Sequence, residues 1–272
     1  MRIVVDAANG AGSGIAGRIL ASTGADIVTI HDQPDGRNIN EGCGATDTAS
    51  LAVAVRAHGA DLGLALDGDA DRLMAVDASG TLVDGDHIIA IFALDLLARG
   101  RLREHTVVVT VMTNLGFRLA METAGIKVLV TPVGDRYVLE ALDAGGFSLG
   151  GEQSGHVIFR DHETTGDGLF TAVALADAVR RSGVPLAELA AAAMTRLPQV
   201  LVNVPVQAPV PDAAERVAEV IALVEAELGD HGRVLVRPSG TEPLVRVMVE
   251  APTEASAQSA ADRLAAAVRA GC

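Results

Sequence analysis

Residues 106–130 read TVVVTVMTNLGFRLAMETAGIKVLV, and their order of features decides the fold. A run rich in β-branched residues, Thr106–Val111, ends at polar residues that include Asn114. A helical segment follows over Leu119–Thr123, Gly125 stops it, and a second strand-like run occupies Val128–Val130. The same order stands at the start of the chain. Arg2–Asp6 reads as a strand, a glycine-rich loop leads to a helical segment near Ile15–Ala21, Gly24 ends it, and Ile27–Ile30 is the next strand. Met twice, this order predicts two related βαβ units, each building its own layered domain.

The tail has another rhythm. Val200–Val206 reads as a strand, and Pro209 and Pro211 lead to a helix with an apolar face of Val217, Val220, Ile221, Val224 and Leu228. Two strands follow, Arg233–Val236 and Leu244–Glu250, and Thr253 is placed to cap a final alanine-rich helix. The expected fold class is α/β: two related three-layer αβα domains with mixed sheets, then a small α+β domain. Charge and Gly100 interrupt the apolar runs near Arg99–Arg103, and the tail begins near Pro198. The expected domains are therefore 1–99, 100–198 and 199–272.

Bulk composition narrows the function. Hydrophobic residues make up 49% of the 272, enough for packed cores, but aromatics only 2%, so those cores are aliphatic. Tyr137 is the one tyrosine, and a base-stacking platform for single strands needs more. A formal net charge of −14 repels phosphate backbones, so no nucleic-acid partner is expected. Any anion must be held by local arginines and backbone amides, since Lys127 is the only lysine. Cys43 and Cys272 fit no metal-ligand spacing, and a reduced cytoplasmic setting is the simpler reading. The apolar stretch Ile88–Ala98 is interrupted by Asp95 and too short to span a bilayer, so no membrane partner is expected. Met1 sits directly on a core strand with no lead-in, which suggests that something once preceded it.

Four segments could carry chemistry. Asp67-Gly68-Asp69-Ala70-Asp71-Arg72 follows the apolar run Leu62–Leu66. Carboxylates at alternate positions, with Gly68 letting the backbone curl, can converge on a hard cation such as Mg²⁺. An EF-hand fails here, because Arg72 and Ala78 stand where its glycine and glutamate belong. The plain alternative is a solvated acidic turn, in which three crowded acids repel one another without a cation.

Arg237-Pro238-Ser239-Gly240-Thr241-Glu242-Pro243 lies between two strands, with Arg246 shortly after. Two arginines, two hydroxyls and a turning backbone suit a phosphate, whereas a bare hairpin explains the glycine but not the arginines. Gly150-Gly151-Glu152-Gln153-Ser154-Gly155-His156 offers carboxylate, amide and hydroxyl in a row, as sugar recognition requires, yet also reads as an ordinary turn. His156 alone reads as structural. Gly134-Asp135-Arg136 reads as a surface ion pair or as a reach toward a phosphosugar. Gly12-Ser13-Gly14-Ile15-Ala16-Gly17 matches the dinucleotide pattern, but it begins too far past the strand end at Asp6.

Together the segments resemble the α-D-phosphohexomutase superfamily, whose metal, sugar and phosphate loops occur in this order, and within it the bacterial phosphoglucosamine mutases. Supporting stretches are Asn38–Gly44, Val133–Val138 and Gln153 inside the sugar loop. The resemblance covers essentially the whole chain and implies four domains in a complete enzyme, of which the second to fourth are represented. It implies interconversion of glucosamine 6-phosphate and glucosamine 1-phosphate through a phosphoserine and a bisphosphate. By resemblance Asp67, Asp69 and Asp71 hold Mg²⁺, and Arg72 is the catalytic residue that steadies the transferring phosphoryl group. Glu152, Gln153, Ser154, His156, Asp135 and Arg136 form the sugar-binding set, while Arg237, Ser239, Gly240, Thr241 and Arg246 clamp the distant phosphate.

One departure matters: no serine here is followed by His-Asn-Pro, the family's nucleophile loop, so the chain alone is expected to lack turnover. The alternatives are a phosphomannomutase or phosphoglucomutase, a phosphatase using Asp67 as nucleophile, or a non-catalytic phosphosugar-binding module. Whether the chain forms a homo-oligomer is left open.

Overall fold

The computed structural model describes residues 1–239 and 242–271. The chain divides into two compact units, one of Met1–Thr113 with Phe117–Thr195, the other of Asn114–Gly116 with Arg196–Cys272.

The larger unit begins with β1 (Arg2–Asp6), α1 (Ala16–Ala21), β2 (Asp26–Ile30), α2 (Ala49–His58), β3 (Leu62–Leu66), β4 (Leu73–Asp77), β5 (Leu82–Val83) and α3 (Gly85–Ala98). These strands form one sheet in the order β2-β1-β3-β4-β5. β1 runs parallel to both neighbours, and β4 and β5 return antiparallel. β1, between two parallel neighbours, and the central β3 are covered on both faces, hence their mostly apolar reading. Alternation then sorts the side chains. Val4, Ala65 and Val76 meet Leu51 and Val55 of α2, while Ile3, Val5, Leu62 and Leu64 belong to the core on the other face.

The second half repeats this plan with β6 (Thr106–Thr110), α4 (Leu115–Thr123), β7 (Lys127–Thr131), α5 (Asp135–Gly145), β8 (Leu149–Gly151), β9 (Val157–Phe159), α6 (Gly168–Ser182) and α7 (Leu186–Ala193). The sheet order is β7-β6-β8-β9, with β6 parallel to β7 and β8, and β9 antiparallel. Val108 packs with Val138 and Leu142 of α5, and Val107 and Val109 face the opposite layer. Each sheet is thus covered on both faces, giving two αβα layers of one topology. α3 and α6 pack against each other and lend their apolar faces to a core shared by both sheets.

The smaller unit holds β10 (Gln199–Pro205), α8 (Ala213–Arg216), α9 (Ala218–Leu228), β11 (Arg233–Pro238), β12 (Leu244–Glu250) and α10 (Glu254–Gly271). β12 lies between β10 and β11, antiparallel to both. Val217, Val224 and Leu264 join Val245, Val247 and Val249 in an aliphatic core. The Thr253 hydroxyl accepts the Ser256 N–H at 3.2 Å and caps α10. Among the described residues, no helix is long and apolar enough to cross a membrane.

Candidate functional site

β3 delivers its chain, buried throughout, into Asp67, and the backbone turns at once. Gly68 is demanded by its neighbours, because a Cβ there would lie 2.7 Å from Asn40 Nδ2 and 2.8 Å from the Ile39 side chain. A Cβ on Gly10 would sit 2.2 Å from the Gly68 carbonyl oxygen, which instead accepts the Ala11 N–H at 2.8 Å. Ala70 takes a left-handed φ of 63°, an uncommon state for a residue with a side chain. The result is a tight curl that aims alternate side chains inward. Asp67, Asp69 and Asp71 each present an oxygen, all within 4.8 Å of one another.

The electrostatics of this cluster are unbalanced. Burial pushes the Asp67 carboxyl up to about 6; the Arg72 N–H bond opposes that rise, while Asp71 and Asp69 add to it. The Arg72 guanidinium stands 3.7 Å from both Asp67 Oδ2 and Asp71 Oδ1, beyond hydrogen-bond reach. Asp71 Oδ1 and Arg72 Nε are accordingly buried without hydrogen-bond partners. Three carboxylates against one guanidinium leave a net deficit that a divalent cation matches. Such hard oxygen donors fit a hard divalent cation such as Mg²⁺, and Asp71 Oδ1 has no hydrogen-bond donor competing for its lone pairs.

The Glu152–His156 loop is locked to this curl. Arg72 and His156 form an isolated antiparallel bridge, and the Leu73 N–H donates to the Gly155 carbonyl at 3.0 Å. His156, almost fully buried, sets its Nδ1 3.0 Å from Asp71 Oδ2. Its Nε2 accepts the Gly166 N–H at 3.0 Å, which leaves the ring proton on Nδ1 as the donor to Asp71. The Gly168 N–H adds a bond to the Ala70 carbonyl at 2.9 Å, so the start of α6 closes the curl from a third side.

The other loop residues are placed as follows. Glu152 Oε1 accepts the Gly134 N–H at 3.0 Å, joining two segments singled out in the sequence. Gln153 Nε2 donates to the buried Asp86 Oδ2 at 3.1 Å, and Ser154 Oγ is buried without a partner. Asp135 is exposed, and Arg136 is exposed in an i,i+4 pair with Glu140 at 2.7 Å. Sequence reading missed Asp86 and Gly166. Only the Asp84-Gly85-Asp86 helix start hinted at the first, with Asp84 accepting the His87 N–H.

In the smaller unit, Arg237 of β11 stands directly opposite Arg246 of β12. Arg246 Nε is buried without a hydrogen bond, and its guanidinium lies 3.7 Å from Glu242. The Ser239 N–H donates to the Leu244 carbonyl at 2.9 Å, and its hydroxyl accepts the Glu242 N–H at 3.3 Å. Gly240 and Thr241, also expected in the phosphate clamp, lie outside the described residues.

The chain and its fold are similar to those of known proteins. Residues 1–80 match phosphoglucomutase/phosphomannomutase alpha/beta/alpha domain II, residues 84–197 match domain III of that class, and residues 201–267 match its C-terminal domain. The chain is 61% identical over 270 residues to a phosphoglucosamine mutase of Frankia casuarinae, covering 99% of this chain and 59% of that protein. It is 60% identical to a phosphoglucosamine mutase of Thermobifida fusca, covering 99% of this chain and 60% of the relative. The chain thus spans about three fifths of the length of the curated relatives it matches. A crystal structure of Aspergillus fumigatus N-acetylphosphoglucosamine mutase with GlcNAc-6P and magnesium superposes with a TM-score of 0.78 at 26% identity, covering 100% of this chain and 62% of that one. With three successive domains matched and the paired αβα layers followed by an α+β unit, this chain belongs to the phosphoglucomutase/phosphomannomutase family.

Proposed function

We propose that this chain supplies the Mg²⁺ site and substrate-binding loops of a phosphoglucosamine mutase, acting on glucosamine 6-phosphate and glucosamine 1-phosphate. The observation that carries it is the Asp67–Asp69–Asp71 cluster, with one buried oxygen left without a partner. Two relatives about 60% identical bear that activity in their names.

In this reading Asp67, Asp69 and Asp71 hold the cation, which when bound supplies positive charge opposite a transferring phosphoryl group. His156 orients Asp71 through Nδ1 and keeps its own ring fixed by accepting from Gly166. Arg72 has a guanidinium not hydrogen-bonded to either nearby aspartate, free to swing onto phosphoryl oxygens. Glu152, Gln153 and Ser154 offer polar groups to the sugar, with Asp135 and Arg136 following the Gly134 that Glu152 binds, whereas both ring nitrogens of His156, also expected in this set, are taken by Asp71 and Gly166. Arg237 and Arg246, with Ser239, Gly240 and Thr241, grip the phosphate that is not reacting, so either end of the sugar can present itself for transfer.

None of the chain's serines is followed by His-Asn, so these 272 residues bind phosphosugar without turning it over. Calorimetric titration of glucosamine 6-phosphate tests the reading. Saturable binding, weakened at least about tenfold by Arg237→Ala, is expected for loss of a charge-assisted pair. Binding unaffected by that substitution counts against the phosphate clamp. Steady conversion of glucosamine 6-phosphate by the purified chain counts against the absence of turnover.

A further inference from the structure

β1 and β2 are parallel neighbours, Asp6 ends the first and His31 directly follows the second, with Cys43 brought against them by the following loop. One ligand atom from each lies within 4.8 Å of the others. Asp6 and Cys43 are fully buried, whereas the His31 side chain is 31% exposed and opens the cluster to solvent. Asp6 is fixed from two sides, its Oδ1 accepting the Ala8 N–H and its Oδ2 the Gly44 N–H, each at 2.9 Å.

The backbone here is held away from its usual states. Ala8, Asn9 and His31 have left-handed φ values of 53°, 48° and 46°. Such states are uncommon in residues that carry a side chain, and they gather at sites where side chains are held for a purpose.

We propose that Asp6 Oδ2, His31 Nδ1 and Cys43 Sγ form a binding site for a borderline-soft divalent transition cation of the Zn²⁺ class, separate from the acidic loop at Asp67–Asp71. Carboxylate, imidazole and thiolate together are a zinc donor set, and the sulfur excludes Mg²⁺. His31 Nδ1 lies 3.0 Å from Asp6 Oδ2. Bonds of about 2.0–2.1 Å arranged tetrahedrally set such donors about 3.3 Å apart. The cation therefore takes the place of the proton these two groups share, and the open side at His31 admits water as fourth ligand. Burial, then the charges of Asp6, Asp47 and Glu41, hold the Cys43 thiol up and keep it protonated in the metal-free protein. On binding, the S–H proton leaves to solvent and the imidazole proton moves from Nδ1 to Nε2, so one proton is released per cation.

Co²⁺ is the probe, added to the full chain in excess Mg²⁺ with the fold of every variant checked by circular dichroism. One equivalent is expected to give tetrahedral visible absorption and a thiolate-to-metal charge-transfer band, which Zn²⁺ then displaces. Cys272→Ser is expected to leave the band intact and Cys43→Ser to abolish it. His31→Asn, which tolerates a left-handed backbone, is expected to weaken Co²⁺ binding at least about tenfold. Absence of a saturable thiolate band in the wild type, or its survival in folded Cys43→Ser, overturns the proposal.

Discussion

His156 and Asp71, 85 residues apart, are joined by an Nδ1–H···Oδ2 hydrogen bond of 3.0 Å. That bond ties the second αβα half to the acidic curl of the first. The Nε2 acceptor role toward Gly166 fixes which nitrogen carries the proton, so Asp71 meets a neutral donor.

Replacing His156 by Ala removes that orientation and leaves the buried Gly166 N–H without an acceptor. Mg²⁺ affinity is expected to fall about 10–100-fold, as for other groups that orient metal ligands. Stability is expected to fall by about 1–3 kcal/mol for the stranded donor. Calorimetry and urea unfolding separate the two effects, and unchanged Mg²⁺ affinity in a folded variant would remove His156 from this role.

The Asp67 carboxyl, raised by burial to about 6, makes both cation binding and stability depend on pH. Mg²⁺ competes with the proton, so its affinity is expected to drop as pH falls below about 6. Stability runs the other way in metal-free protein. A carboxyl whose folded value lies above its unfolded value of 3.8 stabilises fully below that value, and the contribution is lost as pH rises through about 6. A loss on the order of 2 kcal/mol is expected between pH 4 and 7 in EDTA, largely restored by saturating Mg²⁺. Thermal melts in the two buffers read it.

Gly10 and Gly14 offer a contrast between sterics and dihedral strain. A methyl at Gly10 meets the Gly68 carbonyl at 2.2 Å, a backbone atom that cannot yield without moving the aspartates. Gly10→Ala is expected to cost about 3 kcal/mol or more and to weaken Mg²⁺ binding. Gly14, with φ 73° and open space around its Cβ position, is expected to cost only about 1–2 kcal/mol on Gly14→Ala and to leave Mg²⁺ binding unchanged.

In the smaller unit Glu250 is fully buried and accepts from Leu115 N, Asn114 Nδ2 and the Arg233 guanidinium at 2.8–3.3 Å. Glu250→Ala takes the acceptor away from the buried Leu115 N–H and is expected to cost about 1–3 kcal/mol in chemical denaturation. Glu250→Gln, which keeps an acceptor oxygen, is expected to lose less.

Local chemistry made much of this molecule readable. The repeated strand-helix-glycine-strand order does correspond to one topology used twice, since β-branched runs and stopping glycines act within a few residues. β12 keeps the expected bounds of Leu244–Glu250 because both flanks are breakers, Pro243 and the Pro252 that follows Ala251. Elsewhere distance along the chain hid the answer. His156 reads as structural on its own and joins Glu152–Ser154 only by the resemblance, and its ring faces Asp71 and Gly166, 85 and 10 residues away. The partnership of Gln153 with Asp86 likewise spans 67 residues and depends on how α3 meets the loop after β8. β5 has only two residues and no periodicity to detect. The helix read from Val217 onward begins only at Ala218, because Val217 has a non-helical φ of −112° and joins it to the short α8.

Isothermal titration of Mg²⁺ into the metal-free chain bears most directly on the cluster from which the function is inferred. One saturable site is expected, weakened more than about 100-fold when Asp67→Asn and Asp71→Asn are combined, because two charged hard-oxygen ligands are then replaced by neutral amides. No binding in the wild type, or equal affinity in the folded double variant, would mean that the alternating aspartates do not hold the cation.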